Sequence, residues 1–233
     1  MSSRAERTRC PTCSNVTESK PKFTSFIIYV IAFHAFWMGG FVFAIYPWMR
    51  SLGERTLGYA LVNVSIRLAV WVLPVFLYLI YVDGVNPVEY LKLKQNWKRG
   101  VILGIVLSAI NLFVSMIRFG VPHPSAQSLT WNSVIGTSIL IGFIEEIPYR
   151  GFMLQKFSER YGFWVATLVS AILFLAIHLP GWISLHLLKV SSVVFVFVFG
   201  LVMAIVFRYA KSLWAPIITH STNDFMAFVI FRL

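Results

Sequence analysis

Long apolar runs alternate with short polar segments along most of this 233-residue chain. Seven of the runs are long enough to cross about 30 Å of hydrocarbon as helices that rise about 1.5 Å per residue. They cover, to within a few residues, 26–46, 61–82, 101–117, 132–154, 163–180, 191–207 and 213–231. The pattern predicts an all-α protein, a polytopic transmembrane helical bundle of about seven helices, with six to eight as the range.

The first 22 residues differ from the rest of the chain, because they are polar and contain no apolar run. We expect residues 1–22 to be a basic cytoplasmic tail, since the apolar stretch that follows is too long for a cleavable signal. Residues 23–233 are expected to form a single integral membrane domain. Cys10 and Cys13 make one Cys-x-x-Cys pair in the tail, and this half of a zinc ribbon has no second pair in the sequence.

Composition narrows the class of protein further. Apolar residues make up 58% of the chain and charged residues only 12%, whereas about a quarter of a soluble domain is charged. The abundant apolar residues exclude a disordered chain, and two cysteines are too few for a disulfide scaffold. A net charge of +11 would suggest nucleic acid for a soluble protein, but in a membrane protein it reflects cytoplasmic loops. We therefore expect the lipid bilayer, and no nucleic acid, as a partner.

The basic residues also predict an orientation. With a cytoplasmic N-terminus, 13 Lys and Arg residues fall in the inside segments 1–22, 83–100, 155–162 and 208–212. Six fall outside, and Arg67 is counted among them. Because Lys and Arg favour the cytoplasmic side, we expect a multi-pass protein of the cytoplasmic (cell) membrane with its N-terminus inside and Leu233 outside.

The run 132–154 contains charges that lipid does not tolerate. Glu145 and Glu146 lie near its middle, where a charged side chain costs at least about 2.5–3.5 kcal/mol. Glu146 and Arg150 are four residues apart and can pair along one helix face, which leaves Glu145 free to face the interior of the bundle. Pro148 is expected to kink the helix. The alternative is a purely structural Glu–Arg pair that holds helices together.

Two further runs contain polar residues. His178 lies near the end of the run 163–180, one turn after Phe174, and the run 213–231 contains His220 and Asp224 on one helix face. Counted from the predicted cytoplasmic ends, these residues and Glu145 lie at depths of roughly 10–23 Å. Each feature alone is compatible with helix packing. Together they predict an inward-facing cluster of four residues: Glu145, His178, His220 and Asp224.

Such a cluster supports three kinds of chemistry. Glu145 could act as a general base on water with help from His178, while His220 with Asp224 or Asn223 stabilises an oxyanion. Alternatively, Glu145, His178 and His220 could bind Zn²⁺ or another divalent metal that activates water. The same residues could also relay protons or coordinate an ion for transport. The residue types alone leave these three possibilities open.

The spacing of these residues resembles the CPBP family. This family comprises intramembrane CAAX-type prenyl-protein proteases and bacteriocin-processing or immunity proteins, and it is also called the Abi family. The resemblance covers about residues 130–233 and rests on three motifs that occur in the family's order: Glu145-Glu146-x-x-x-Arg150, Phe174-x-x-x-His178 and His220-x-x-x-Asp224.

The resemblance implies an intramembrane endopeptidase, a peptide hydrolase that cleaves a membrane-associated protein or peptide. Glu145 would be the general base on water, and Glu146 with Arg150 would be a positioning pair. His178 would share in water activation, while His220 and Asp224 would form the transition-state site.

The third motif of the family ends in Asn or Asp, and this chain has the Asp form. An ionised Asp224 would repel an oxyanion. Three explanations are therefore open. Asp224 is protonated, or Asp224 orients His220, or Asn223 supplies the hydrogen-bond donor to the oxyanion.

Several points stay open at this stage. Family members are labelled metalloproteases, while a metal-free glutamate mechanism is argued for them as well, so the sequence decides neither. The sequence does not identify the substrate or show whether it is prenylated. An ion- or proton-coupled transporter, or a non-catalytic immunity or scaffold protein that retains the site, are the alternatives to an enzyme.

Overall fold

The computed structural model describes residues 20–122, 124 and 127–231. Every regular element in these residues is helical, which confirms the predicted all-α class. Residues 1–19, with Cys10 and Cys13, lie outside the described residues, as does Leu233. Residues 20–22 were expected to belong to the polar tail, but they form the first turn of a helix that begins at Lys20.

The main helices are labelled α1 to α8 in chain order, and several contain a stretch of wider π-helix. Their bounds are α1 (Lys20–Ala35, π-helical Phe36–Ile45, Tyr46–Arg50), α2 (Leu57–Arg67, π-helical Leu68–Val72, Leu73–Tyr78, π-helical Leu79–Asp83), α3 (Trp97–Phe119), α4 (π-helical Asn132–Ile139), α5 (Ile141–Glu146, π-helical Ile147–Met153, Leu154–Tyr161), α6 (Phe163–Ala176, Leu179–Ser184), α7 (Val190–Ala210) and α8 (Trp214–Phe225, π-helical Met226–Phe231). A short helix, Pro87–Tyr90, lies between α2 and α3.

Among the residues that the structure describes, five helices are long and apolar enough to cross a membrane. These candidate spans are Lys22–Arg50, Leu57–Asp83, Trp97–Phe119, Phe163–Ser184 and Val190–Ala210. Each contains one of the seven predicted runs, which confirms a polytopic helical bundle. The runs 132–154 and 213–231 are helical, but they contain the polar residues described above and are not among the candidate spans. Length and composition thus support five crossings, and the count of seven stays a prediction.

The segments predicted to be cytoplasmic meet at one end of the bundle, which we call the basic end. Three hydrogen bonds join them: Lys22 Nζ to Asp83 O (3.5 Å), Tyr90 Oη to Glu159 Oε1 (2.7 Å) and Asn96 Nδ2 to Lys211 O (3.5 Å). The grouping is the one expected if α1, α2, α3, α5, α6, α7 and α8 each run from one end to the other. Its assignment to the cytoplasm stays a prediction.

Arg67 is the clearest departure from the predicted topology. It was counted as a cation outside the membrane, but α2 begins at Leu57, four residues earlier than the apolar run 61–82 suggests. The reason is local, because the Thr56 hydroxyl caps the helix by accepting a hydrogen bond from Tyr59 N at 3.1 Å. Arg67 therefore lies three turns into α2, and its side chain is only 18% exposed.

Three of the π-helical stretches described occur next to polar residues of the bundle. One follows Arg67 directly, one follows Glu146 directly, and one begins two residues after Asp224. The kink expected at Pro148 takes the form of the π-helical stretch Ile147–Met153, because proline has no N–H for the usual α-helical hydrogen bond. Such stretches often lie at functional sites.

Candidate active site

The two glutamates of α5 lie inside the bundle and have different partners. Glu146 is fully buried, and its Oε1 lies 3.0 Å from Arg150 Nη1, so the pair expected from their spacing is present. Arg150 is also fully buried, donates through Nη2 to Gly200 O on α7 at 3.3 Å, and stacks 4.4 Å above the Phe174 ring. The positive charge of Arg150 is thus held by three helices.

His220 on α8 connects the two glutamates. Its Nδ1 donates to Glu146 Oε1 at 2.7 Å, because an ionised carboxylate can only accept. Its Nε2 then lies 3.9 Å from Glu145 Oε2 and 3.7 Å from Asp224 Oδ2. Glu146 therefore sets the orientation of the ring, and Nε2 is directed between two further carboxylates.

A cavity of about 360 Å³ brings residues of several helices together. Glu145 from α5, His178 from the end of Phe163–Ala176 and Asp224 from α8 all line it. His178 is half-buried and donates from Nδ1 to Phe174 O at 2.8 Å, which leaves Nε2 as the nitrogen that can meet a water molecule. Three of the four residues in the predicted cluster thus share one cavity, and His220 lies behind it.

The same cavity includes a residue that sequence reasoning missed. Arg67 Nη1 lies 3.7 Å from Glu145 Oε1, so the carboxylate has a cationic neighbour from α2. Asn63 holds the guanidinium by accepting from Arg67 Nε at 3.2 Å. The signal was present in the sequence, because a lone Arg inside an otherwise apolar run marks an intramembrane site by default.

Asn223 faces away from this cavity. Its amide oxygen accepts from Asn111 Nδ2 of α3 at 3.2 Å, and its own Nδ2 donates to Asp224 Oδ1 at 3.1 Å. It is not among the residues that line the cavity. Of the three explanations for the Asp form of the third motif, this geometry disfavours Asn223 as the oxyanion donor.

Gly142 sets the distance between the helices that contain the glutamates and His220. A Cβ at this position would lie 2.4 Å from Ile217 O and 2.5 Å from Ser221 Oγ, well inside van der Waals contact. Only glycine lets α5 and α8 approach so closely. The hydrogen bond between Glu146 and His220 depends on that approach.

We expect Gly142→Ala to separate α5 from α8. Overpacking of this kind costs about 1–3 kcal/mol of stability, and a displacement near 1 Å at the site would lower the peptide cleavage that the motifs predict on the order of 10²-fold. Gly39→Ala is the matched control, because a Cβ at Gly39 meets nothing within 4 Å. Thermal unfolding and a cleavage assay would check both variants, and unchanged stability with full cleavage in Gly142→Ala would contradict this role.

The residues present do not form a ready metal site. Among the residues that the structure describes, no three His, Cys, Asp or Glu side chains are arranged to hold a metal ion. Nδ1 of His220 is already bonded to Glu146, and Nε2 of the same ring is 3.9 Å from Glu145. The set Glu145, His178 and His220, which the sequence suggested as ligands for Zn²⁺, does not fit the ion in this arrangement.

The chain was also compared with known proteins. Residues 126–226 match the family model described as Type II CAAX prenyl endopeptidase Rce1-like. This segment, which is less than half of the chain, is similar to the Rce1-like family. The match confirms the resemblance to CAAX-type proteases that the three motifs predicted, and the Rce1-like segment contains all six predicted site residues: Glu145, Glu146, Arg150, His178, His220 and Asp224. No curated protein and no solved structure matches the chain.

The matched segment is similar to CAAX-type endopeptidases, and the candidate spans indicate a multi-pass membrane protein. Arg67 and the cavity wall formed by α1 lie outside the matched segment. The Abi and metalloprotease descriptions stay predictions, as do the roles of the individual residues.

Proposed function

We propose that this protein is an endopeptidase that hydrolyses a peptide bond of a membrane-associated protein or peptide, with a Glu145-activated water as the nucleophile. The observation that carries the proposal is the shared cavity, where Glu145, His178 and Asp224 meet from three helices. A carboxylate and an imidazole at one cavity are the groups that peptide hydrolysis needs for proton transfer. His220, which lies behind the carboxylate and the imidazole, adds a hydrogen-bond donor.

In the proposed reaction, a water molecule lies between Glu145 and Nε2 of His178. Glu145 removes one proton from the water as its oxygen attacks the scissile carbonyl carbon, and the carbonyl oxygen becomes an oxyanion. Protonated His220 donates from Nε2 to this oxyanion. The proton held by Glu145 then passes to the amide nitrogen as the C–N bond breaks, which yields a carboxylic acid and an amine, and the acid afterwards loses its proton to solvent.

The surrounding charges support these assignments. Arg67, 3.7 Å from Glu145, stabilises the ionised carboxylate that a general base requires. Glu146 and Asp224 lie at the two ring nitrogens of His220, so they stabilise its protonated form. Asp224 would thus act through His220 rather than on the oxyanion, which agrees with its Asp identity.

The walls of the cavity suggest an apolar substrate segment. Trp37, Phe41 and Trp71 from α1 and α2 face Trp182 of α6 across it. Aromatic walls around a few polar groups are typical of a small-ligand or peptide pocket. With the Rce1-like match, we infer that the substrate is a CAAX-type C-terminal segment.

The test is cleavage by the purified protein in liposomes. A farnesylated CAAX peptide and its unprenylated counterpart would be incubated with it, and product masses would show whether one water is added across a single peptide bond. We expect cleavage to persist after treatment with a chelator. Loss of cleavage that Zn²⁺ restores would overturn the metal-free mechanism, and a folded protein that cleaves neither peptide would favour the transporter or the scaffold.

A further inference from the structure

A second pocket lies at the basic end and shares no lining residue with the cavity of the candidate active site. Its volume is about 460 Å³, and its lining includes Lys92 before α3, Arg208 near the end of α7, and Lys211 between α7 and α8. None of these three cations forms an ion pair with a carboxylate among the described residues. The pocket therefore concentrates positive charge that the described part of the protein does not neutralise.

The backbones of Lys92 and Lys211 are held in place by hydrogen bonds to their carbonyl oxygens. Leu213 N donates to Lys92 O at 3.3 Å, and Asn96 Nδ2 donates to Lys211 O at 3.5 Å. Both lysines have left-handed backbone conformations, with φ of 55° at Lys92 and 52° at Lys211. For residues other than glycine this conformation costs about 1–2 kcal/mol each, and such strain tends to occur at functional positions.

The electrostatics of the pocket favour an anion. Burial lowers the pKa of Lys92, and the positive charge of nearby Lys211 lowers it further. Keeping the two ammonium groups near each other therefore costs free energy. Lys92 Nζ also lies 4.8 Å from the centre of the Phe207 ring, and the Arg208 guanidinium lies 4.1 Å from that of Phe163. The one carboxylate in the lining, Glu159, accepts from Tyr90 and lies 3.5 Å from Lys156.

The location of the pocket identifies the kind of anion. It lies between the start of the span Phe163–Ser184 and the end of the span Val190–Ala210, where lipid headgroups meet water. Trp164, next to the pocket, is 70% exposed, and Val165 is 50% exposed, so an apolar surface continues toward the hydrocarbon. Basic pockets between spans are typical sites for anionic headgroups.

We propose that this pocket binds the phosphate of an anionic phospholipid headgroup, with Lys92, Lys211 and Arg208 as its ligands. The three cations come from two loop segments and the end of α7, so a bound phosphate would tie the α2–α3 connection to the α7–α8 connection. Hydrolysis is not needed for this binding, which makes the inference independent of the proposed function.

The experiment compares lipids and variants in detergent micelles. Thermal unfolding and native mass spectrometry would be measured with added phosphatidylglycerol, phosphatidylcholine or inorganic phosphate. We expect phosphatidylglycerol to raise the unfolding temperature more than phosphatidylcholine does, and inorganic phosphate at equal concentration to have little effect. An equal response to inorganic phosphate would assign the pocket to a soluble anion and overturn the lipid proposal.

The variant Lys92→Asn/Lys211→Asn tests the site itself. Asn tolerates the left-handed backbone, so this variant removes charge without adding strain. We expect at least a tenfold loss of phosphatidylglycerol affinity and no loss of lipid-free stability. The control Lys94→Gln/Lys98→Gln removes two exposed lysines nearby. Retained lipid preference in the Asn variant, or an equal loss in the control, would overturn the proposal, and Lys211→Asn alone repeats the test if the double variant does not fold.

Discussion

Replacing Glu145 by Gln is expected to reduce cleavage by about 10²–10⁴-fold, the usual contribution of a general base. Gln keeps the size of the side chain but cannot take a proton from water. Its amide also loses the attraction to Arg67 Nη1, which lies 3.7 Å from the carboxylate. The measurement is the initial rate of peptide cleavage in liposomes, with far-UV circular dichroism and thermal unfolding to establish that the variant is folded.

A matched control is available for this substitution. Glu54→Gln makes the same chemical change at a residue that is 46% exposed in its side chain and pairs with Arg50 on the surface. We expect this control to cleave at the rate of the unmodified protein. If Glu145→Gln were folded and retained full activity, the carboxylate would not be the base, and the proposed mechanism would be wrong.

The second large effect is expected at the buried Glu146–Arg150 pair. Arg150→Met leaves a fully buried carboxylate with His220 as its remaining partner, and breaking a buried ion pair in this way costs about 3–5 kcal/mol. The double variant Glu146→Gln/Arg150→Met removes both charges and should recover most of that stability. It should not recover cleavage, because His220 has lost the ionised acceptor that orients its ring.

Unfolding in a denaturing detergent and cleavage assays on the two variants would separate these effects. Stability that returns without activity would indicate that the pair positions His220. A double variant as unstable as Arg150→Met would show instead that lost packing on Phe174, and not an unpaired charge, causes the destabilisation. Full activity in the double variant would contradict the positioning role of Glu146.

Features that depend on one helix were predictable from the sequence. The Glu146–Arg150 pair follows from a spacing of four residues, and the disturbed helix around Pro148 follows from its missing N–H. The sequence also predicted that Glu145 and His178 lie in one cluster, although their depths, counted in residues from the predicted cytoplasmic ends, differed. The helix of α6 is interrupted at Ile177 and His178, before the short helix Leu179–Ser184. A depth counted at a fixed rise per residue does not include this interruption.

Features that depend on neighbouring helices were not predictable in the same way. Arg67 was counted among the outside cations although it lies in the run 61–82, because the cap at Thr56 that starts α2 at Leu57 was not recognised. The closeness of α5 and α8 at Gly142 involves the Ile217 carbonyl, and no local pattern encodes such a partner. The hydrogen bond from Arg150 to Gly200 O joins residues 50 positions apart, so it becomes visible only in three dimensions.

The order of the helices bears on how the protein is made. Synthesis produces α5 before α7 and α8, so the two glutamates enter the membrane before Gly200 and His220 exist. Because Glu146 has its counterion four residues away on the same helix, and Glu145 has Arg67 on the earlier helix α2, both carboxylates can be inserted before their partners on later helices are made. Under the proposed mechanism the site also needs His220, so a nascent chain would be unable to cleave its neighbours until α8 has been made.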